Sequence, residues 1–141
     1  MSTYADTSFL VSLYLTDMHT AEAEHLMASG QIVWMTPFHV VEWTHAVEQH
    51  VFRGALSRSE ADHYHARFQQ HRETGLWMEV AMPESVFDVS AQLARQHGAK
   101  LGLRTLATLH VASALELKAE RFWTFDQRQK KLARAAGLKT A

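Results

Sequence analysis

Apolar and polar positions along this chain switch repeatedly between the two-residue period of a strand and the 3.6-residue period of a helix. Thr3 to Asp6 reads as a short buried strand, followed at once by a helix with Phe9, Leu10, Leu13 and Tyr14 on one stripe. His19 to Ser29 reads as a second helix, with Gly30 placed to terminate it. Ile32 to Met35 is a buried strand that ends at Thr36-Pro37, and proline suits the first turn of the next helix. That helix is expected to pack through Phe38, Val41 and His45 and to run on towards Val51. Ser57 caps another helix, reaching about Glu73, with Ala61, Tyr64 and Phe68 on one side.

The second half repeats the alternation. Leu76 to Ala81 is a third strand, and Pro83 opens a helix carrying Val86, Val89, Leu93 and Ala94. Leu103 to Leu117 places Leu106, Leu109, Ser113 and Leu117 on a stripe. Arg121 to Phe125 is aromatic and strand-like, Gln127 to Ala136 is a basic helix closed by Gly137, and Leu138 to Thr140 supplies a last short strand. Strands separated by helices imply a parallel sheet covered on both faces. The expected fold class is therefore α/β: a three-layer α/β/α sandwich around a central, mainly parallel sheet of about five strands, with right-handed crossovers.

Composition narrows the class without naming it. A chain of 141 residues has the length of one domain, and 47% hydrophobic against 21% charged residues is globular rather than disordered. The absence of cysteine excludes disulfides and thiolate metal sites and suits a reducing compartment. The apolar stretch from Phe9 to Leu15 is too short to span a bilayer and lacks a basic leader, so a soluble cytoplasmic protein is expected. Net charge is -1, yet from Arg95 onward ten Lys or Arg face three acids, while the preceding part carries four Arg and twelve acids. A basic half attracts phosphate if the charges gather in space, and is a solvated surface if they do not.

Asp6 and Asp126 share one local context, strand then aspartate then helix. In an open parallel sheet the carboxyl ends of the strands border a common crevice, so the two can meet there. Each can equally be a plain helix N-cap. Glu42 lies one turn into the helix after the second strand, among bulky apolar neighbours, where a shielded carboxylate calls for a proton or a cation. Three oxygen donors with open positions suit Mg²⁺ or Mn²⁺. Zinc is not expected: His63 and His65 point apart on a helix, and no His-Glu-x-x-His pattern exists among the ten histidines.

The motifs Tyr4-Ala5-Asp6-Thr7-Ser8-Phe9-Leu10, Glu42, Arg104-Thr105-Leu106-Ala107-Thr108-Leu109-His110-Val111-Ala112-Ser113-Ala114-Leu115 and Thr124-Phe125-Asp126 resemble, in order and spacing, the PIN domain. More closely, the chain resembles a VapC-type toxin of bacterial toxin–antitoxin systems. The resemblance spans residues 1–141 as a single PIN-like domain. It implies a metal-dependent endoribonuclease in which acids matching Asp6, Glu42 and Asp126 hold Mg²⁺ or Mn²⁺, directly or through water. It also implies a VapB-like antitoxin, an RNA substrate and a homodimer. Thr124 matches a hydroxyl residue that orients ligands beside the last aspartate.

One position departs from the pattern: the family has an aspartate where this chain has Ala107. A methyl group binds neither a cation nor its water, so weakened metal binding and loss of most RNA cleavage are expected, with the fold intact. A single replacement in an otherwise intact motif has the form of deliberate inactivation more than of decay. Arg104, Arg128 and Lys130 are candidate RNA-phosphate contacts, each with a solvated surface as the plainer reading. His110, three residues from Ala107, reads first as packing against the sheet and second as a cleft residue. Trp34, Trp43, Trp77 and Trp123 read as core. The competing functions are a non-catalytic module that binds an antitoxin or RNA, and a metal-dependent DNA nuclease or phosphoesterase.

Overall fold

Residues 2–141 are described by a computed structural model of the chain. Strands β1 (Ser2–Ala5), β2 (Ile32–Met35), β3 (Met78–Glu79), β4 (Arg121–Trp123) and β5 (Lys139–Thr140) form one sheet in the order β3-β2-β1-β4-β5. Every pairing is parallel, so the expected three-layer sandwich is the fold, and the sheet is parallel throughout rather than mainly so.

Helices α1 (Thr7–Tyr14), α2 (Thr20–Met27), α3 (Pro37–Phe52) and α4 (Arg58–Glu73) fill the crossovers from β1 to β3. The crossover from β3 to β4 holds α5 (Val86–Leu93), a π-helical turn (Ala94–Gly98), α6 (Ala99–Leu101) and α7 (Thr105–Glu116). Helix α8 (Gln127–Ala135) joins β4 to β5. Successive strand residues point to opposite faces, and the two hydrophobic cores divide accordingly. Ala5 and Trp123 pack with α1, α3 and α4 on one face, while their neighbours Tyr4 and Phe122 pack with α5, α7 and α8 on the other.

Local sequence sets several boundaries. Ser57 caps α4 in a reciprocal box with Glu60, its hydroxyl taking the Glu60 N–H while the Glu60 carboxylate takes the Ser57 N–H. Gly30 and Gly137 follow helices at positive φ, as expected of terminators. Gly102 ends α6 in the left-handed conformation at φ 65° and starts the turn into α7.

Three expectations are corrected. The buried face of α3 is His39, Trp43 and Val47, whereas Val41 is 57% exposed and His45 lies outside. The buried face of α7 runs through Thr108, Val111, Ala112 and Ser113, and Leu106 is half exposed. Close approach to the sheet selects small residues and aromatic rings with polar handles on these two faces. The third strand spans only Met78–Glu79, because the edge of the sheet has one neighbour to pair with. Among the described residues no helix is long and apolar enough to cross a membrane.

Candidate active site at the carboxyl edge of the sheet

The strand order reverses direction beside β1: the chain leaves β1 for β2 on one side and returns as β4 on the other. Crevices at such switch points lie outside the carboxyl ends of the strands. Asp6 leaves β1 there, Asp126 follows β4, and α3 carries Glu42 in from β2. All three line one open cavity of about 410 Å³ together with Thr7, Ser8, Arg104, Ala107, His110 and Gln129. A second cavity of about 500 Å³ shares Arg104, Ala107, Asp126 and Gln129 and extends to Gly102 and Arg128. Ala107 thus stands in the wall common to both.

Asp6 is 4% exposed and is held by neutral donors only. Phe9 N–H donates to Oδ1 at 2.9 Å, Thr124 Oγ1 to Oδ2 at 2.9 Å, and Ser8 Oγ to both oxygens at 2.8 Å. Burial pushes its carboxyl above the ordinary range, against the opposing pull of His110, the Phe9 amide, Ser8 and Thr124. Asp126 is exposed and caps α8 through Oδ1, which accepts from Arg128 and Gln129 N–H. Thr124 ties the two aspartates together: its hydroxyl bonds Asp6 and accepts the Asp126 N–H at 3.0 Å.

Glu42 is held through a single oxygen. Thr7 Oγ1 donates to Oε1 at 2.7 Å, and His110 Nε2 forms a short contact with the same oxygen. His110 Nδ1 faces the Tyr4 hydroxyl at 2.7 Å, and Phe38 stacks on the imidazole at a centroid distance of 4.4 Å. His39 approaches from α3, its Nδ1 accepting the Thr36 N–H at 3.0 Å and its Nε2 2.7 Å from the Ala5 carbonyl. Burial, and then repulsion from His110, lowers the His39 pKa to about 3, so its ring is neutral and Nε2 carries the proton.

The candidate donors are carboxylate oxygens, the right type for Mg²⁺ or Mn²⁺. Asp6 is buried without a Lys or Arg partner, and Asp126 Oδ2 and Glu42 Oε2 accept no hydrogen bond among the described residues. Against this, among the described residues no three His, Cys, Asp or Glu side chains are grouped closely enough to hold a metal ion. The residues fit such a cation in kind, and their spacing falls short of a preformed cage.

Of the residues singled out in the sequence, the structure brings Asp6, Glu42, Asp126, Ala107, Arg104 and His110 to one cavity wall, with Thr124 against it. Arg128 lines the neighbouring cavity, with its guanidinium 3.4 Å from the Gly102 carbonyl, and Lys130 lines neither. Sequence reasoning missed Gln129, which is buried, has Oε1 2.7 Å from the Thr124 hydroxyl and donates to the Ala107 carbonyl at 3.0 Å. The available signal was its position three residues into the helix that Asp126 caps. It also missed Tyr4, whose role depends on a partner 106 residues away.

The model of the PIN domain family matches residues 3–135. The chain belongs to the PIN-domain family. No curated protein sequence matches it. The fold is shared with FitAcB of Neisseria gonorrhoeae, at a TM-score of 0.73 and 16% identity over 98% of this chain and 95% of that one. It is also shared with VapC20 of Mycobacterium tuberculosis, described as a sarcin-ricin loop cleaving toxin, at 0.71 and 16% over 96% and 95%. VapBC2 of Rickettsia felis, bound to a DNA fragment from its promoter, matches at 0.69 and 12% over 100% and 98%. At these identities the likeness establishes the fold alone.

Proposed function

We propose that this PIN domain is a metal-dependent endoribonuclease toxin of a type II toxin–antitoxin pair, cytoplasmic and dimeric, whose cleavage is largely lost in this sequence because position 107 is alanine. The observation that carries the reading is the convergence of Asp6, Glu42 and Asp126 on one cavity, with Ala107 in its wall. The structural neighbours include VapBC2 and FitAB with DNA and a toxin that cleaves the sarcin-ricin loop, which supports RNA as substrate and a VapB-like antitoxin as partner.

Asp6 and Asp126 would hold Mg²⁺ or Mn²⁺, with Glu42 contributing through Oε2. When bound, such an ion supplies a water of lowered pKa and stabilises charge on phosphoryl oxygens. The chain's own residues then divide the remaining work. Thr124 keeps the two aspartates in register through their shared hydroxyl contact. Arg104 and Arg128 flank the paired cavities with positive charge that attracts the phosphate backbone. Lys130 adds to the field of α8 from outside the cavities. Ala107 adds neither charge nor ligand, so the cluster binds a cation weakly.

The non-catalytic reading has one specific support, the absence among the described residues of a grouped set of three ligands. The same experiment separates the readings. Ala107→Asp is expected to gain Mn²⁺-dependent cleavage of single-stranded or loop RNA by at least about 100-fold over this chain, the scale on which loss of one key electrostatic group acts, and to become toxic on expression. Mn²⁺ binding without cleavage in that variant would leave a binding module. Preferential cleavage of DNA would replace the substrate class.

A further inference from the structure

We infer, resting on the cation reading above, that Tyr4, Thr7 and His110 are positioning residues that clamp Glu42 through Oε1 and so present Oε2 to the cavity. Glu42 is partly exposed, with its side chain 21% accessible, and its three rotatable bonds would leave the carboxylate free to sweep the cavity mouth. It is not free. Both of its hydrogen bonds, from Thr7 Oγ1 and from His110 Nε2, end on Oε1, and none reaches Oε2 among the described residues.

The clamp is itself fixed from three elements. Tyr4 on β1 is fully buried and His110 on α7 nearly so. The Tyr4 hydroxyl meets Nδ1 at 2.7 Å and so fixes the ring with Nε2 turned to Glu42. Phe38 stacks on one side of the ring, and the Tyr4 ring meets it edge-on at 5.6 Å. Packing alone does not account for this chain of groups. Apolar residues of the same shape at positions 4 and 110 would cost the fold little, whereas a buried polar chain is favourable only when every member is satisfied. Glu42 is the member that satisfies it, and the free oxygen is the consequence. Groups that orient a ligating carboxylate typically govern 10- to 100-fold in metal affinity.

The test is Mn²⁺ affinity, read without RNA by calorimetry or electron paramagnetic resonance, on the full chain and on its Ala107→Asp variant. In both backgrounds His110→Phe and Thr7→Val are expected to weaken Mn²⁺ binding by about 10- to 100-fold. His110→Gln, which keeps an N–H donor, is expected to recover part of the loss. Tyr4→Phe, which removes only the hydroxyl that meets Nδ1, is expected to give a smaller loss together with a change in the His110 nitrogen shifts. Unchanged affinity in folded His110→Phe overturns the inference. If that variant does not fold, Thr7→Val decides, because it deletes only the one hydroxyl that meets Oε1 and, at 3.2 Å, His110 Nε2. Failure of the Ala107→Asp parent to bind Mn²⁺ removes the cation reading and the clamp with it. Binding by the parent with unchanged affinity in both variants removes the clamp alone.

Discussion

A threonine hydroxyl at the end of β4 carries more of the site than its size suggests. Thr124 Oγ1 is buried, bonds the Asp6 carboxylate, approaches Gln129 Oε1 and accepts the Asp126 N–H. Replacing it by valine keeps the shape and leaves these three groups short of a partner, of which Asp6 and Gln129 have little access to water. Leaving buried polar groups unsatisfied costs about 1–3 kcal/mol. Thr124→Val is therefore expected to lower stability by about that amount in urea denaturation, with the same slope against denaturant. An unchanged midpoint would show that the contacts are not maintained in solution. At this scale Asp6 and Asp126 are legible because each lies between a strand and a helix, and strand ends of a parallel sheet share an edge, while Glu42 is legible from its apolar neighbours one turn into α3. Their partners were not. His110 looked like a packing residue because nothing near position 110 announces Glu42, 68 residues away in sequence. Gln129 sits on a basic helix where nothing local marks it off from its polar neighbours.

The element that aims Glu42 is the first turn of α3, and its geometry depends on His39. Thr36, Pro37 and His39 form the start of the helix, with the His39 ring taking the place of the usual Glu or Gln in a capping box. The other ring nitrogen donates to the Ala5 carbonyl and so pins α3 to the end of β1, next to Asp6. Protonating Nδ1 would turn the acceptor of the Thr36 N–H into a second donor. The folded pKa, about 3, lies below the ordinary value of 6.5, so the unfolded chain binds the proton first as pH falls. Stability from this group is complete above pH 6.5 and is lost as pH drops, by on the order of 2 kcal/mol at pH 5. His39→Gln is expected to flatten that acid limb between pH 6.5 and 5 in thermal melts. A parallel decline in the variant would assign the loss to other groups. Strand and helix succession was readable because period and turn residues are local properties. Helix phase was less so, since α3 and α7 bury histidines, Thr108 and alanines where Val41, His45 and Leu106 were expected.

On the scale of the whole molecule, three acids that begin in separate crossovers are brought together only by folding, so any ion they share is bound by the native state and not by the unfolded chain. Such a ligand adds stability by mass action, about 2.7 kcal/mol at a concentration 100 times its dissociation constant. For a chain of 141 residues this corresponds to a rise of roughly 9 °C in melting temperature. Ala107→Asp is expected to show that rise with saturating Mn²⁺. This chain, at the same Mn²⁺ concentration, should show a smaller one, because its weaker site is less saturated. Asp6→Asn in the Ala107→Asp background should abolish the shift: the amide removes the buried anion yet still accepts the Phe9 N–H as a helix cap. The comparison depends on the fold rather than on the number of acids, because Asp6→Asn changes the net charge by one unit only. Equal shifts in all three proteins would mean that Mn²⁺ acts through the exposed acids of the surface, and the carboxyl edge of the sheet would then have no special claim on the ion.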